Sequence, residues 1–233
     1  MRALVPTAGL AGAIWGAPAL APVVPAVAAA LGLPRMLEGV ADEVALTSDD
    51  GPDPGGTPAI LEVLARRNAK ATFFCVGEQV ERSPSLVREI AAAGHGLAIH
   101  GHSHRCQLTQ TPRALADDLD RARSALGDAL GTDPALLYMP PFGVFSAVGL
   151  GVVRRRGLRS VLWSKWGHDW RGGAWTNGRR IADEVSRGMI GGDVLLLHDS
   201  DRYSARDSWR RTAEALPLVL DAIEARGLRT RLL

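Results

Sequence analysis

The sequence predicts a single α/β domain built on a parallel barrel, preceded by an apolar segment. Three observations carry that expectation. From Gly39 onward, short apolar runs alternate with helix-length segments. Several helical segments open on a Ser/Thr-Pro pair, which supplies an N-cap and a proline at the first helical position: Thr57-Pro58, Ser83-Pro84 and Thr111-Pro112. No repeat or low-complexity linker divides the chain, and 233 residues at 46% hydrophobic content suffice for one large core.

Taken in order, strands are expected over residues 44–47, 71–76, 97–99, 136–138, 160–163, 194–197 and 228–232. The helix opening at Thr57 carries Ile60, Leu61, Val63 and Leu64 on its apolar side. The next spaces Leu86, Val87 and Ile90 and stops at Gly94, which tolerates the left-handed conformation that closes a helix. A third repeats Leu115, Leu119, Ala122, Leu126 and Leu130 at helical intervals. Further helices are expected near 146–156, within 177–188 and near 213–226.

Charge and cysteine content exclude several classes. A net charge of +2, with no basic run beside aromatic platforms, argues against a nucleic-acid partner. Arg154-Arg155-Arg156 precedes Gly157 and suits the negative end of a helix. Two cysteines, Cys75 and Cys106, exclude a disulfide framework; one bridge between them stays open, with free thiols preferred. Residues 3–34 carry no charge after Arg2, which reads as an export signal, a membrane-associating anchor or a packed apolar arm. The first two are preferred, so the expected location is extracytoplasmic, secreted or membrane-anchored. The unit boundary falls at residues 38/39.

The chemistry gathers where strands end. The strand over 44–47 runs into Asp49-Asp50 and the turn Gly51-Pro52. Acids at the C-terminal end of a parallel strand lie where such folds carry their sites. Alone, the pair reads equally as an Asx-turn with solvated acids. The strand ending at Ile99 runs into His100-Gly-His-Ser-His104, whose outer imidazoles sit four apart, the spacing of one face of a helical turn. Two imidazoles and one carboxylate form a three-ligand set with an open position, the pattern of catalytic zinc. His102 should point elsewhere, either supporting the ligands from behind or facing substrate. His198 closes the run 194–197, and in a barrel these strand ends share one rim.

Five ordered motifs resemble those of the polysaccharide deacetylases, carbohydrate esterase family 4, the NodB-homology domain. Thr47-Ser-Asp-Asp-Gly-Pro52 is similar to Thr-Phe-Asp-Asp-Gly-Pro, and His100-Gly-His-Ser-His104 to His-(Ser/Thr)-x-x-His. Tyr138-Met-Pro-Pro-Phe-Gly143 resembles Arg-Pro-Pro-(Tyr/Phe)-Gly, while Asp169-Trp170 and Leu196-Leu-His198 match Asp-Trp and Leu-x-His. The resemblance implies a distorted (β/α)7 barrel and one divalent ion, expected to be Zn²⁺, on Asp50, His100 and His104. It implies Asp49 as general base, His198 as general acid, the Phe142 backbone N–H at the oxyanion, and Trp170 with Leu196 around the acetyl methyl group. The activity implied is hydrolytic removal of N-acetyl groups from N-acetylglucosamine glycans, chitin-like or peptidoglycan-like. A non-catalytic carbohydrate- or metal-binding relative and an O-acetyl esterase of acetyl xylan type are the alternatives. Partners are then a glycan and, through the N-terminal segment, a membrane or cell wall.

Three positions depart from the pattern. Ser48 replaces Phe, Trp166 stands where many members carry an acid, and Met139 replaces the Arg that pairs with the base. Losing that Arg should leave Asp169 without its partner, with Arg105, Lys165 and His168 as candidate replacements. Met139 should also raise the pKa of Asp49, since it offers neither charge nor donor. Trp163, Trp166, Trp170 and Trp175 suit either sugar stacking or ordinary packing.

Overall fold

The computed structural model describes residues 15–134, 136–173 and 176–233. Its strands are β1 Glu43–Asp49, β2 Thr72–Cys75, β3 Gly96–Ile99, β4 Leu137–Tyr138, β5 Arg159–Ser160, β6 Lys165–Trp166, β7 Val194–His198 and β8 Arg229–Arg231. Seven of them form one curled parallel sheet in the order β5-β4-β3-β2-β1-β7-β6, and β8 pairs the first half of β1. With eight α-helices among the described residues, this is the expected distorted (β/α)7 barrel.

The distortion has a local cause. β5 and β6 are consecutive in the chain yet end opposite edges of the sheet, so of the expected strand over 160–163 only Ser160 is in a strand, β5, and β6 lies beyond it. Residues 161–164 cross the gap. Their amides are satisfied from three directions: Val161 donates to the Tyr138 carbonyl, Leu162 to Pro34 and Ser164 to Val194.

β1 is central and, from its second residue on, fully buried, as a parallel strand covered on both faces must be. Its register places Asp49 opposite His198 of β7 and opposite Phe74 of β2. Thr111, Ser146 and Asn177 cap their helices through the side chain, each accepting a backbone N–H three residues on. Thr57 does not cap. The helix Gly56–Arg66 begins one residue earlier, and the Asp53 carboxylate accepts the N–H groups of Gly55 and Gly56 at 2.8 and 2.9 Å. The Thr57 hydroxyl instead donates to Asp199. A Cβ on Gly56 would lie 1.9 Å from the Asp199 carbonyl oxygen, so glycine is required there. One short helix, Gly77–Arg82, has no sequence signal; too brief for periodicity, it is held by bonds from Gly77 and Glu78 N–H to the carbonyls of Gly101 and His102.

The described part of the N-terminal segment, from residue 15 on, packs on the domain. A helix, Pro25–Ala30, follows a 3₁₀ turn, Ala17–Leu20; Ala21, Ala28 and Leu33 are buried on the domain. Leu37 N–H donates to Gly192 at 2.7 Å, and Met36 bridges Asp193. Among the described residues no helix is long and apolar enough to cross a membrane. Residues 1–14 and Trp175 lie outside the described residues.

Candidate active site

The strand ends open on a cavity of about 240 Å³ lined by Asp49, Asp50, His100, His104, Phe142, Trp170, Leu196 and His198. All eight residues expected to line the site are brought together. Met139 and Asp169 stand behind them, both fully buried. Trp163, Trp166, Gly143 and Tyr203 complete the wall. Tyr203 was not anticipated. It stacks on His104 with ring centroids 4.0 Å apart and takes a bond from Gln79 on its hydroxyl, and no spacing in the sequence signals it.

His104 Nε2 lies 2.9 Å from Asp50 Oδ1 and His100 Nε2 lies 3.5 Å from it. One ligand atom from each of the three falls within 4.8 Å of the others, a donor set that fits a divalent cation. The segment is not the helical turn the spacing suggested: residues 100–104 form a loop, with Gly101 and His104 at positive φ. His100 Nδ1–H donates to the Met139 carbonyl at 2.8 Å, which fixes the tautomer and leaves Nε2 as the lone-pair donor. Position 139 thus serves the site through its backbone, whatever side chain it carries.

The loop is pinned from outside by Asp118, whose carboxylate accepts the N–H groups of His102 and Ser103 at 2.8 and 3.0 Å. His102 turns away from the cavity and pairs with Glu81 at 3.0 Å, so it neither supports the ligands nor faces a substrate. Asp118→Ala is expected to weaken Zn²⁺ binding about tenfold, the usual loss when a group supporting a ligand is removed. Titration calorimetry checks this; unchanged affinity rejects the role.

Asp169 keeps firm partners despite the missing Arg, which corrects the expectation from Met139. Its Oδ1 accepts from His198 Nδ1 at 2.9 Å, and its Oδ2 from His198 N–H and the Thr212 hydroxyl, both at 2.8 Å. None of the three candidate replacements is paired with Asp49. His168 pairs with Glu184, Lys165 donates to the carbonyls of Arg187 and Gly188, and Arg105 is exposed. Asp49 Oδ1 is therefore buried with no hydrogen-bond partner among the described residues. Leaving such an acceptor bare costs about 1–3 kcal/mol.

The electrostatics separate the two acids. Burial pushes the Asp49 carboxyl well above its usual range; His198 opposes this, while Asp50 and Asp199 add to it. Burial would raise Asp50 too, but the imidazoles of His100 and His104 set against it outweigh burial and hold it far below. Burial would lower His198; the charge and hydrogen bond of Asp169 outweigh it and carry the imidazole up to about 10. Ser48, in place of the aromatic residue, donates to Asp199 at 3.0 Å. Cys75 and Cys106 are free.

At Phe142 the backbone turns to φ 60° and Gly143 follows at φ 69°. Among the described residues the Phe142 N–H has no backbone partner; its ring is 57% exposed and meets His104 edge-on. Trp166 and Leu196 are register partners, which sets the indole beside the aliphatic wall.

A polar donor set flanked by a carboxylate and a carboxylate-backed imidazole, on the C-terminal rim of a parallel barrel, defines a hydrolase. A family model described as polysaccharide deacetylase matches residues 38–161. A peptidoglycan-N-acetylglucosamine deacetylase of Bacillus cereus is 31% identical over 80% of this chain and 84% of its own. A chitooligosaccharide deacetylase of Azorhizobium caulinodans is 30% identical over 78% and 88%. A crystal structure of a peptidoglycan N-acetylglucosamine deacetylase superposes with TM-score 0.75 at 29% identity, covering 82% of this chain and 86% of that one. The chain belongs to the polysaccharide deacetylase family.

Proposed function

We propose that the protein removes N-acetyl groups from N-acetylglucosamine-containing glycans, chitin-like or peptidoglycan-like. The observation that carries the reading is the register pair Asp49–His198, an orphaned carboxylate beside a cationic imidazole, next to the Asp50, His100 and His104 donor set. Those three would hold the divalent ion, expected to be Zn²⁺; when bound, it supplies a Lewis acid that brings the pKa of water toward about 7. Asp49 takes the proton of the attacking water. His198, held by Asp169, gives a proton to the departing amine. Phe142 N–H donates to the developing oxyanion. Trp170 and Leu196 enclose the acetyl methyl group.

The names of similar proteins support the substrate class, peptidoglycan in one case and chitooligosaccharide in the other. A panel of N-acetylated and O-acetylated glycans scored for acetate tests it. Release from the N-acetylated members is expected, and release from acetyl xylan alone would overturn the reading in favour of an esterase. An extracytoplasmic location is part of the proposal because polymeric glycans of these kinds lie outside the cytoplasm; cell fractionation checks it.

A second reading, a binding relative with an idle base, draws on the bare Asp49 oxygen. Acetate release from N-acetylated oligosaccharides by the parent separates the two, and Met139→Arg tests the missing charge. A guanidinium beside Asp49 favours its charged form, so the acid-side limb of the pH–rate profile, where the base must lose its proton, moves to lower pH and turnover rises. Both enzymes are compared loaded with Zn²⁺, so the ion's own field cancels. An unchanged profile in a folded, loaded variant rejects the missing-charge account.

A further inference from the structure

We infer that the N-terminal arm is a working part of the site, with Arg35 and Pro22 as positioning residues for the pocket wall and the oxyanion turn. The inference rests on the hydrolytic reading above but on different atoms. The arm precedes the residues matched by the family model, 38–161.

Two contacts bring the arm to the cavity. Arg35 Nε donates to the carbonyl of Trp163 at 2.9 Å, and the adjacent Leu162 N–H donates to the carbonyl of Pro34 at 2.9 Å. Residues 161–164 fill the open seam of the barrel, tied at their ends to Tyr138 and Val194. Their middle, which carries the cavity-lining Trp163, is tied to the arm. The second contact is at Gly143. A Cβ there would lie 2.4 Å from Trp163 Cη2 and 2.9 Å from Pro22 Cγ, so indole and proline close on the same backbone atom. Gly143 directly follows Phe142, whose N–H is the proposed oxyanion donor. Arg35, Trp163, Gly143 and Pro22 therefore form one packed chain of contacts from the arm to the reacting centre.

The consequence is a division of labour. Ligands and acid–base pair are set by β1, β3 and β7, which the arm does not touch at those residues. The distance from donor to oxyanion is set partly by the arm. Displacing a positioned group by about 1 Å costs up to 10²-fold in rate. Arg35→Ala and Pro22→Ala, made separately in the full chain, should each lower kcat on the order of tenfold while leaving KM and Zn²⁺ affinity within about twofold. Arg35→Lys keeps a donor for the Trp163 carbonyl and should restore most of the rate. Hydrogen exchange supplies a readout independent of turnover: amides at 142–145 and 161–164 should exchange faster in both alanine variants, with those at 96–100 unchanged. Unchanged exchange at both segments overturns the inference, as does a loss of Zn²⁺ affinity parallel to the loss of rate. A parent protein that releases acetate from no glycan would sink the proposed activity alone, and the exchange data would still decide the arm.

Discussion

Asp49→Asn is expected to abolish most acetate release while leaving Zn²⁺ bound. The amide cannot accept the proton of the attacking water, and removing a positioned base costs on the order of 10²–10⁴-fold. His100 and His104 keep their own geometry, since the Asp49 carboxylate makes no hydrogen bond to them and stands 3.8 Å from His100 Nε2 through its Oδ2. The variant should also melt no lower than the parent. Asp49 is buried with one oxygen bare, and a neutral side chain of the same shape removes a poorly compensated anion. Calorimetric Zn²⁺ binding, a melting curve and a rate together check this. A fully active Asp49→Asn protein would remove Asp49 from the base role.

His198→Ala is expected to separate amide from ester substrates. An amine leaves poorly without a proton, whereas an alkoxide leaves more readily, so the N-acetyl rate should fall about 10²–10⁴-fold and the O-acetyl rate by clearly less. The geometry favours His198 for this task. Asp169 takes both its ring Nδ1–H and its backbone N–H, which fixes the ring and favours the imidazolium. The sign follows: a group raised to about 10 holds its proton through neutral pH and loses donor capacity only as pH climbs through that value. A nearby dication lowers it without removing the Asp169 contact. Equal losses on the two substrate types would argue against His198 as the acid.

Much of the site was legible in the residues because parallel strands put their C-terminal ends on one rim. Once Asp49-Asp50, the His100–His104 segment and His198 were each seen to end an apolar run, their convergence needed no further information. The capping device at Thr111 was equally local, joining a side chain to an amide three residues away, whereas Ser83, read as the same device, makes no side-chain cap bond. Where local devices competed with distant partners, sequence reasoning failed. Thr57 looks like a cap, but its hydroxyl is taken by Asp199, 142 positions along the chain.

The sequence by itself determined the barrel and brought Asp49, Asp50, His100, His104 and His198 to one rim, because those depend on strand order and on which residues end the strands; the roles given to them are what the family resemblance implies. Tertiary structure alone decided what surrounds them. It placed Tyr203 on His104, gave Asp169 to His198 and Thr212, left Asp49 Oδ1 buried without a partner among the described residues, and laid the apolar arm against Trp163 and Gly143. Each of these is a contact between residues far apart in the chain, set by how loops and edges pack rather than by periodicity. Apolar composition in the segment before residue 38 is satisfied as well by a bilayer as by a protein surface. For residues 15–38, the open seam between β5 and β6 supplies that surface.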